Sequence, residues 1–461
     1  MTGPIITRPL SNMENFMRSR TATGFYRTFQ LTATYSKAIS KELLFKALRK
    51  SLIDYVMLTC NVFKAENHCY YHPIPRISFD DIVSFELDQA LDETFLKKIN
   101  EEIRFQLYAN QPLFKVILLE KNQVCAVFEH TINDGVAGAF FHEILIENLA
   151  FIENDADQVF EQEYGASDFL FDLDEDKSKI KYSLPPPVDP FMEPYEVDFS
   201  DNDPNHYSKI TPKGLTKWDG RFPMKREFVS SFKMINFTPE EVGKILKKCK
   251  ENGVTLTSYI EVVHALTVQP IIGDNNYSVN KIALNLRKWL KSPMDANGQY
   301  KEMLSGFPEH KILGTWAHLG LAENLPPLYK FDWDLVKFVN ENLKKTVTNT
   351  KVMSCSKVFF DSASKTDDNA DFFSSHIGKP RPDMVKISNL GFVKIKTGDW
   401  EILDIWFSQD VAVIAADFML SVVSSPKGGL NFMWSYIEAE DFDLTGFDEK
   451  FRQNMINCAN L

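Results

Sequence analysis

Short apolar runs separated by polar turns, several of them alternating with helical patterns, set the organisation of this chain. Residues 24–34 are rich in aromatic and β-branched positions and predict a strand, after a short helical stretch at 13–17. Leu43, Leu44, Ala47, Leu48 and Leu52 fall on one helical face behind Ser40, a cap candidate. Strands are expected at 67–74 and 113–119, and a polar turn at 120–123 makes the last of these a hairpin with the apolar run from Val124. That run predicts a buried strand ending near His130, followed by a helix over 139–152. The second half restarts with a strand at 231–237. Thr238-Pro239-Glu240-Glu241 then reads as a helix start, with a cap, proline in the first turn and acids beside it. A further helix opens near Thr255 or Thr257, and strands are expected at 282–287, 411–418 and 430–436, with another over 383–391 that ends in a polar turn at 388–391. Mixed strand and helix in both halves predicts an α/β or α+β fold.

Between the halves the character changes. Residues 153–218 carry many acids and prolines, including the run 184–190, and prolines at that density suit neither helix interior nor central strand. The expected division is therefore a domain at 1–152, a linker or crossover at 153–218, and a second domain at 219–461. The length of 461 residues supports two cores rather than one. A net charge of −12 supplies no basic field for a phosphate backbone, so a nucleic-acid partner is not expected. The six cysteines show no paired spacing, and no basic-then-apolar stretch opens the sequence. The expectation is a cytoplasmic, monomeric protein with free thiols. Peripheral contact with endoplasmic reticulum or lipid droplets stays open.

The candidate chemistry sits at the end of the Val124 strand, in His130-Thr131-Ile132-Asn133-Asp134-Gly135. A histidine held at a strand end by a turn suits a general base, because its pKa lies near working pH and the strand fixes its direction. The pattern H-x-x-x-D-G is expected by chance only about 0.03 times in a chain of this composition. Asp134 could orient His130 or cap the following helix, and Gly135 is read as allowing a backbone conformation closed to other residues. His68 and His72 flank Cys69, but no second ligand pair follows at zinc-like spacing, so no metal is expected. The acid-rich stretch 172–176 reads as solvated linker, and Phe140-Phe141 as core packing.

The loop resembles the H-x-x-x-D-G signature of the acyl-CoA-dependent acyltransferases with the chloramphenicol-acetyltransferase fold. Within them the chain is most similar to the fungal alcohol acetyltransferase family, which includes N-acetyltransferases acting on sphingoid-type amino alcohols. The supporting stretches are Gly24-Phe25-Tyr26-Arg27, the proline run 184–190, Leu284-Asn285-Leu286-Arg287 and Ile387-Ser388-Asn389-Leu390-Gly391, in the expected order. The D-F-G-W-G motif of the plant branch is absent, and Ser388 to Gly391 stands nearest that region. The resemblance implies two chloramphenicol-acetyltransferase-like domains, each a mixed sheet flanked by helices, with an active-site tunnel between them. It implies acetyl-CoA as co-substrate and an acetyl group moved to the hydroxyl or amine of a hydrophobic small molecule.

On that resemblance His130 is the general base, and Asp134 turns away from the tunnel to pair with Arg287 of the other domain. Ser388 and Asn389 are candidates to steady the oxyanion. The acceptor is an alcohol or a sphingoid-like amine, the latter suggesting detoxification. The alternative is a condensation-type protein that binds a lipid or acyl carrier without chemistry. A hydrolase is disfavoured by the lack of a Gly-x-Ser-x-Gly turn.

Overall fold

The computed structural model describes residues 3–189, 214–225, 228–287, 303, 307, 311–348, 367–438 and 444–461. Residues 190–213 of the proline- and acid-rich segment, and Cys355, lie outside the described residues. The strands that place the site are, in chain order, β1 (Phe29–Tyr35), β2 (Val83–Glu86), β3 (Phe114–Leu119), β4 (Gln123–Phe128), β5 (Ser230–Phe237), β6 (Asn276–Asn285), β7 (Ala317–Leu325), β8 (Asp383–Phe392), β9 (Trp400–Gln409), β10 (Ala416–Ser425) and β11 (Gly429–Ile437). The helices are α1 (Asn12–Ala22), α2 (Lys41–Asp54), α3 (Glu93–Glu102), α4 (Gly135–Tyr164), α5 (Pro239–Glu251), α6 (Leu256–Ile272), α7 (Trp333–Thr348) and α8 (Phe447–Ala459).

Two mixed sheets carry the molecule. The first has the order β9-β1-β4-β3-β2, with Lys396–Thr397 outside β9; only the β2–β3 edge is parallel, and the remaining pairs are antiparallel. The second runs β6-β8-β10-β11-β5, with Thr216–Lys217 and β7 both pairing with β6. Its centre, β6-β8-β10, is parallel. Strand β9 belongs to the first sheet although it lies far along in the second half of the sequence. It also ties the sheets together: Gln409 donates to Ser421 on β10 at 2.9 Å, and Asn431 on β11 donates to Asp404 at 2.7 Å.

Each sheet covers its own core. Leu44, Leu48 and Leu52 of α2 meet Phe141, Leu145 and Leu149 of α4 over the first sheet. Tyr259, Val263 and Val268 of α6 pack with Phe418, Leu420 and Phe432 under the second. The capping chemistry follows the residue pattern: Ser40 accepts from Leu43 N–H, and Thr238 forms a reciprocal capping box with Glu241. Thr255 caps α6, and Thr257 does not.

Several boundaries differ from the sequence pattern. Residues 24–28 are not strand, because β1 starts at Phe29. Helix α4 starts four residues earlier than expected and runs past 152 to Tyr164, where Gly165 at φ +72° ends it. Gly135–Asn154 has the length and hydropathy of a membrane span, yet its apolar face is spent on the core. The 172–176 stretch is not a solvated linker. Asp176 is fully buried and takes two hydrogen bonds from Arg49, at 2.9 and 3.0 Å, which fold this segment onto α2.

Candidate active site

Strand β4 ends at Phe128, and the chain then turns through 129–134 into α4. The turn is fixed from both sides. Glu129, fully buried, accepts from Thr21 of α1 and from the backbone N–H and hydroxyl of Thr131. Tyr71 donates to the Thr131 carbonyl at 2.8 Å. From the other lobe, Thr315 donates to the carbonyls of His130 and Thr131, and Gly314 N–H donates to Asn133. The loop bearing His130 is therefore built at the seam between the lobes.

Asp134 is the hub of that seam. Its Oδ1 accepts from Ala137 N–H and caps α4, while its Oδ2 accepts from Arg287 at 2.9 Å and from Trp316 N–H at 2.7 Å. Arg287 also donates to the carbonyls of Ile312 and Gly314. Both oxygens are thus committed to the helix cap and the opposite lobe, and none of these bonds goes to His130. The ion pair between Asp134 and Arg287 leaves the two side chains 1 % and 7 % exposed, so each neutralises a charge that burial would otherwise make costly.

His130 itself is half-buried, with Phe29 and Tyr26 edge-on to its ring at centroid distances of 5.2 and 5.6 Å. Its Nδ1 is buried without a hydrogen-bond partner among the described residues. Burial, reinforced by the nearby Arg20 cation, lowers the imidazole pKa to about 4, against weaker opposing effects that include Asp134. The ring is therefore neutral at physiological pH, the form a general base needs.

Gly135 corrects the sequence reading. Its φ is not positive, and its small size, not its backbone freedom, is what the site uses. A Cβ there would lie 2.9 Å from Leu390 on β8 and 2.9 Å from Phe407 on β9. The missing side chain lets both lobes close on the first turn of α4.

Residues 388–391 are also not a turn: β8 continues through them, with Gly391 at φ +80° where the pairing with β10 shifts register. Val385 and Ile387 face the second core, so the intervening Lys386, Ser388 and Leu390 face the first lobe. Ser388 therefore lies on the same face as Leu390, which packs beside Gly135. Asn389 points the other way, donating to Thr257 at 3.1 Å and accepting from Gly391 N–H at 2.8 Å. Its amide is held on the face away from Leu390 and the His130 loop, which argues against a role as oxyanion donor. Lys386 is paired with Asp383 at 3.5 Å, and burial lowers its pKa to about 8.

Among the described residues no group of three His, Cys, Asp or Glu side chains is arranged to hold a metal ion. His72 instead bonds Thr7 at 2.7 Å. A cavity of about 710 Å³ opens beside Arg8, Asn15, His68 and Met303, but none of the candidate site residues lines it. Arg20, Tyr26 and Thr315 escape sequence reasoning. Tyr26 lies in a stretch that carries the resemblance, whereas Arg20 and Thr315 sit in no recognisable pattern.

Residues 10–455 match the profile of the family described as alcohol acetyltransferase. The N-acetyltransferase SLI1 of Saccharomyces cerevisiae is 22 % identical over 462 residues, covering 93 % of this chain and 94 % of that protein. Among solved structures, the TRI3 trichothecene 15-O-acetyltransferase of Fusarium sporotrichioides aligns with a TM-score of 0.63 at 12 % identity, covering 98 % of this chain and 95 % of its own. The first condensation domain of the CDA synthetase aligns at 0.62, also at 12 % identity, with coverage of 98 % and 96 %. At these identities the structures establish the shared two-lobed fold.

Proposed function

The chain belongs to the alcohol acetyltransferase family, and from that premise we propose that it transfers an acetyl group from acetyl-CoA to the hydroxyl or amine of a hydrophobic small molecule, with His130 as general base. The observation that carries this reading is the state of His130. It is neutral, no side-chain hydrogen bond to its Nε2 is made among the described residues, and it sits on a loop held from both lobes. A base so placed takes the proton of the acceptor as oxygen or nitrogen attacks the thioester carbonyl. Acetyl-CoA is already activated, so the acetyl group passes directly to the acceptor without an acyl-enzyme.

The acceptor and acyl-CoA reach His130 from opposite sides of the seam, through a tunnel between the lobes. Asp134, Gly135 and Arg287 hold the loop, and Ser388 faces the reacting carbonyl. The similarity to a relative named as an N-acetyltransferase supports an amine acceptor beside the alcohol that the family description suggests, and the amine we propose is a sphingoid-like amino alcohol. The protein acts as a cytoplasmic monomer, with contact to endoplasmic reticulum or lipid droplets limited to their surface.

The test is release of free CoA thiol from acetyl-CoA, with no acceptor, with medium-chain alcohols and with sphingoid bases. Acceptor-dependent release supports the reading, and the responding acceptor decides ester against amide. Tight acetyl-CoA binding with no release for any acceptor would favour the non-catalytic, condensation-type alternative.

A further inference from the structure

Arg20 stands in the site with its hydrogen-bonding capacity unused. It lies in the last turn of α1, and its guanidinium stacks over the Tyr26 ring at 3.9 Å. Tyr26 in turn packs edge-on against His130. The Nε and Nη2 of Arg20 are buried and meet no hydrogen-bond acceptor among the described residues. Arg18, two residues earlier, is the contrast, since its guanidinium is shared among Asn15, Ser19, Tyr108, Asp367 and Asp368. Buried donors left unmade are costly, so a structure that keeps them beside a catalytic base points to an acceptor that arrives with the reaction.

The nearby acids do not fill that role. Glu129 is satisfied by Thr21 and Thr131, and Asp410 by Ser230 and the N–H groups of Arg27 and Val411. On the facing strand, Lys386 is paired with Asp383, and Asn389 is turned toward Thr257 and Gly391. The Arg20 charge acts on both His130 and Lys386.

We propose that Arg20 is a further catalytic residue, donating guanidinium N–H groups to the thioester oxygen as it becomes an oxyanion. The inference rests on the acetyl-transfer reading and adds to it the group that stabilises the intermediate. In the step, the acceptor oxygen or nitrogen bonds to the carbonyl carbon and its proton passes to His130 Nε2. The carbonyl π pair moves onto oxygen, where Arg20 holds the charge. Collapse restores the carbonyl and breaks the carbon–sulfur bond, and the thiolate takes the proton from His130 to leave as CoA thiol. A charged donor in a partly buried site is suited to this, because the charge it meets exists only in the intermediate.

The test uses Arg20→Gln and Arg20→Lys in the full-length protein, with an acceptor that the wild type acetylates. Arg20→Gln should lower kcat about 10²–10³-fold with both KM values changed less than threefold, as for loss of one oxyanion donor. Arg20→Lys should recover part of that loss. In Arg20→Gln the acid limb of kcat/KM should also move upward in pH, because the cation opposing protonation of His130 is gone. Asp134, the other charged group acting on His130, and Tyr26, which packs against its ring, remain in place. A kcat within threefold of wild type in Arg20→Gln, or a loss confined to KM, overturns the proposal alone. Wild-type protein that transfers no acetyl group overturns both this inference and the functional reading. Should Arg20→Gln fail to fold, Arg20→Lys decides: unchanged kcat overturns the proposal, and lowered kcat at unchanged KM supports it.

Discussion

His130 is a base whose surroundings keep it unprotonated at rest. An exposed histidine titrates near 6.5, whereas burial and the Arg20 cation bring this ring to about 4. The base works in its neutral form, so protonation removes activity, and it does so only as pH falls through the lowered value. The kcat/KM profile should therefore stay level from neutrality down to about pH 5 and then fall about tenfold per pH unit. A limb near 6.5 would show a histidine exposed to solvent and unlike the one described. The identity of His130 was legible from sequence because a rare six-residue pattern lies at a strand end. Its environment was not, since Arg20, Tyr26 and Phe29 reach it from α1, the loop after α1 and β1. Asn389 shows the same limit in the opposite sense: its residue type suited an oxyanion donor, but strand alternation turns it toward Thr257.

At the scale of elements, the start of α4 couples chemistry to fold. Asp134 caps the helix with one oxygen and holds the other lobe with its second, and Gly135 leaves room for Leu390 and Phe407. Gly135→Ala should destabilise the protein by about 1–2 kcal/mol. Overpacking of this kind costs about 1–3 kcal/mol, and the better helix propensity of alanine returns up to about 1. Chemical unfolding checks the stability, and kcat should fall with it because the added methyl pushes β8 and β9 away from the loop. Unchanged stability would mean that both side chains yield freely. Helix caps and amphipathic faces were legible because they depend on neighbours in sequence, as at Ser40 and Thr238. The continuation of β8 through Ser388 to Gly391 was not, because a glycine inside a paired strand gives the same local signal as a turn.

Across the whole molecule, two sheets with their own cores are joined by specific polar contacts and by a smaller apolar cluster that sets Ile117 and Val127 of the first sheet against Phe232 and Met433 of the second. The Asp134–Arg287 pair lies at the centre of that join, with β9 as the strand that crosses over. Arg287→Ala should cost about 3–5 kcal/mol, since it strands the Asp134 carboxylate and two carbonyls in the seam. His130→Ala should leave stability close to wild type, so the pair of variants separates scaffold from chemistry. Equal stability of both variants in denaturant titration would contradict the role given to the seam. The mixed α/β character was legible from the alternating patterns of the two halves. The exchange of β9 into the first sheet was not, because strand pairing across more than 350 residues leaves no periodic trace.

The central claim is that the chain transfers acetyl groups directly, with His130 as the base. Mass spectrometry of a single turnover tests it most directly, with protein in excess over acetyl-CoA and a responsive alcohol or sphingoid base present. The account predicts acetylated acceptor in wild type, no acetylated protein at any time, and product formation slowed about 10²–10⁴-fold in folded His130→Ala. Acetyl-protein that forms and decays on the path to product, or wild-type rates in His130→Ala, would contradict it.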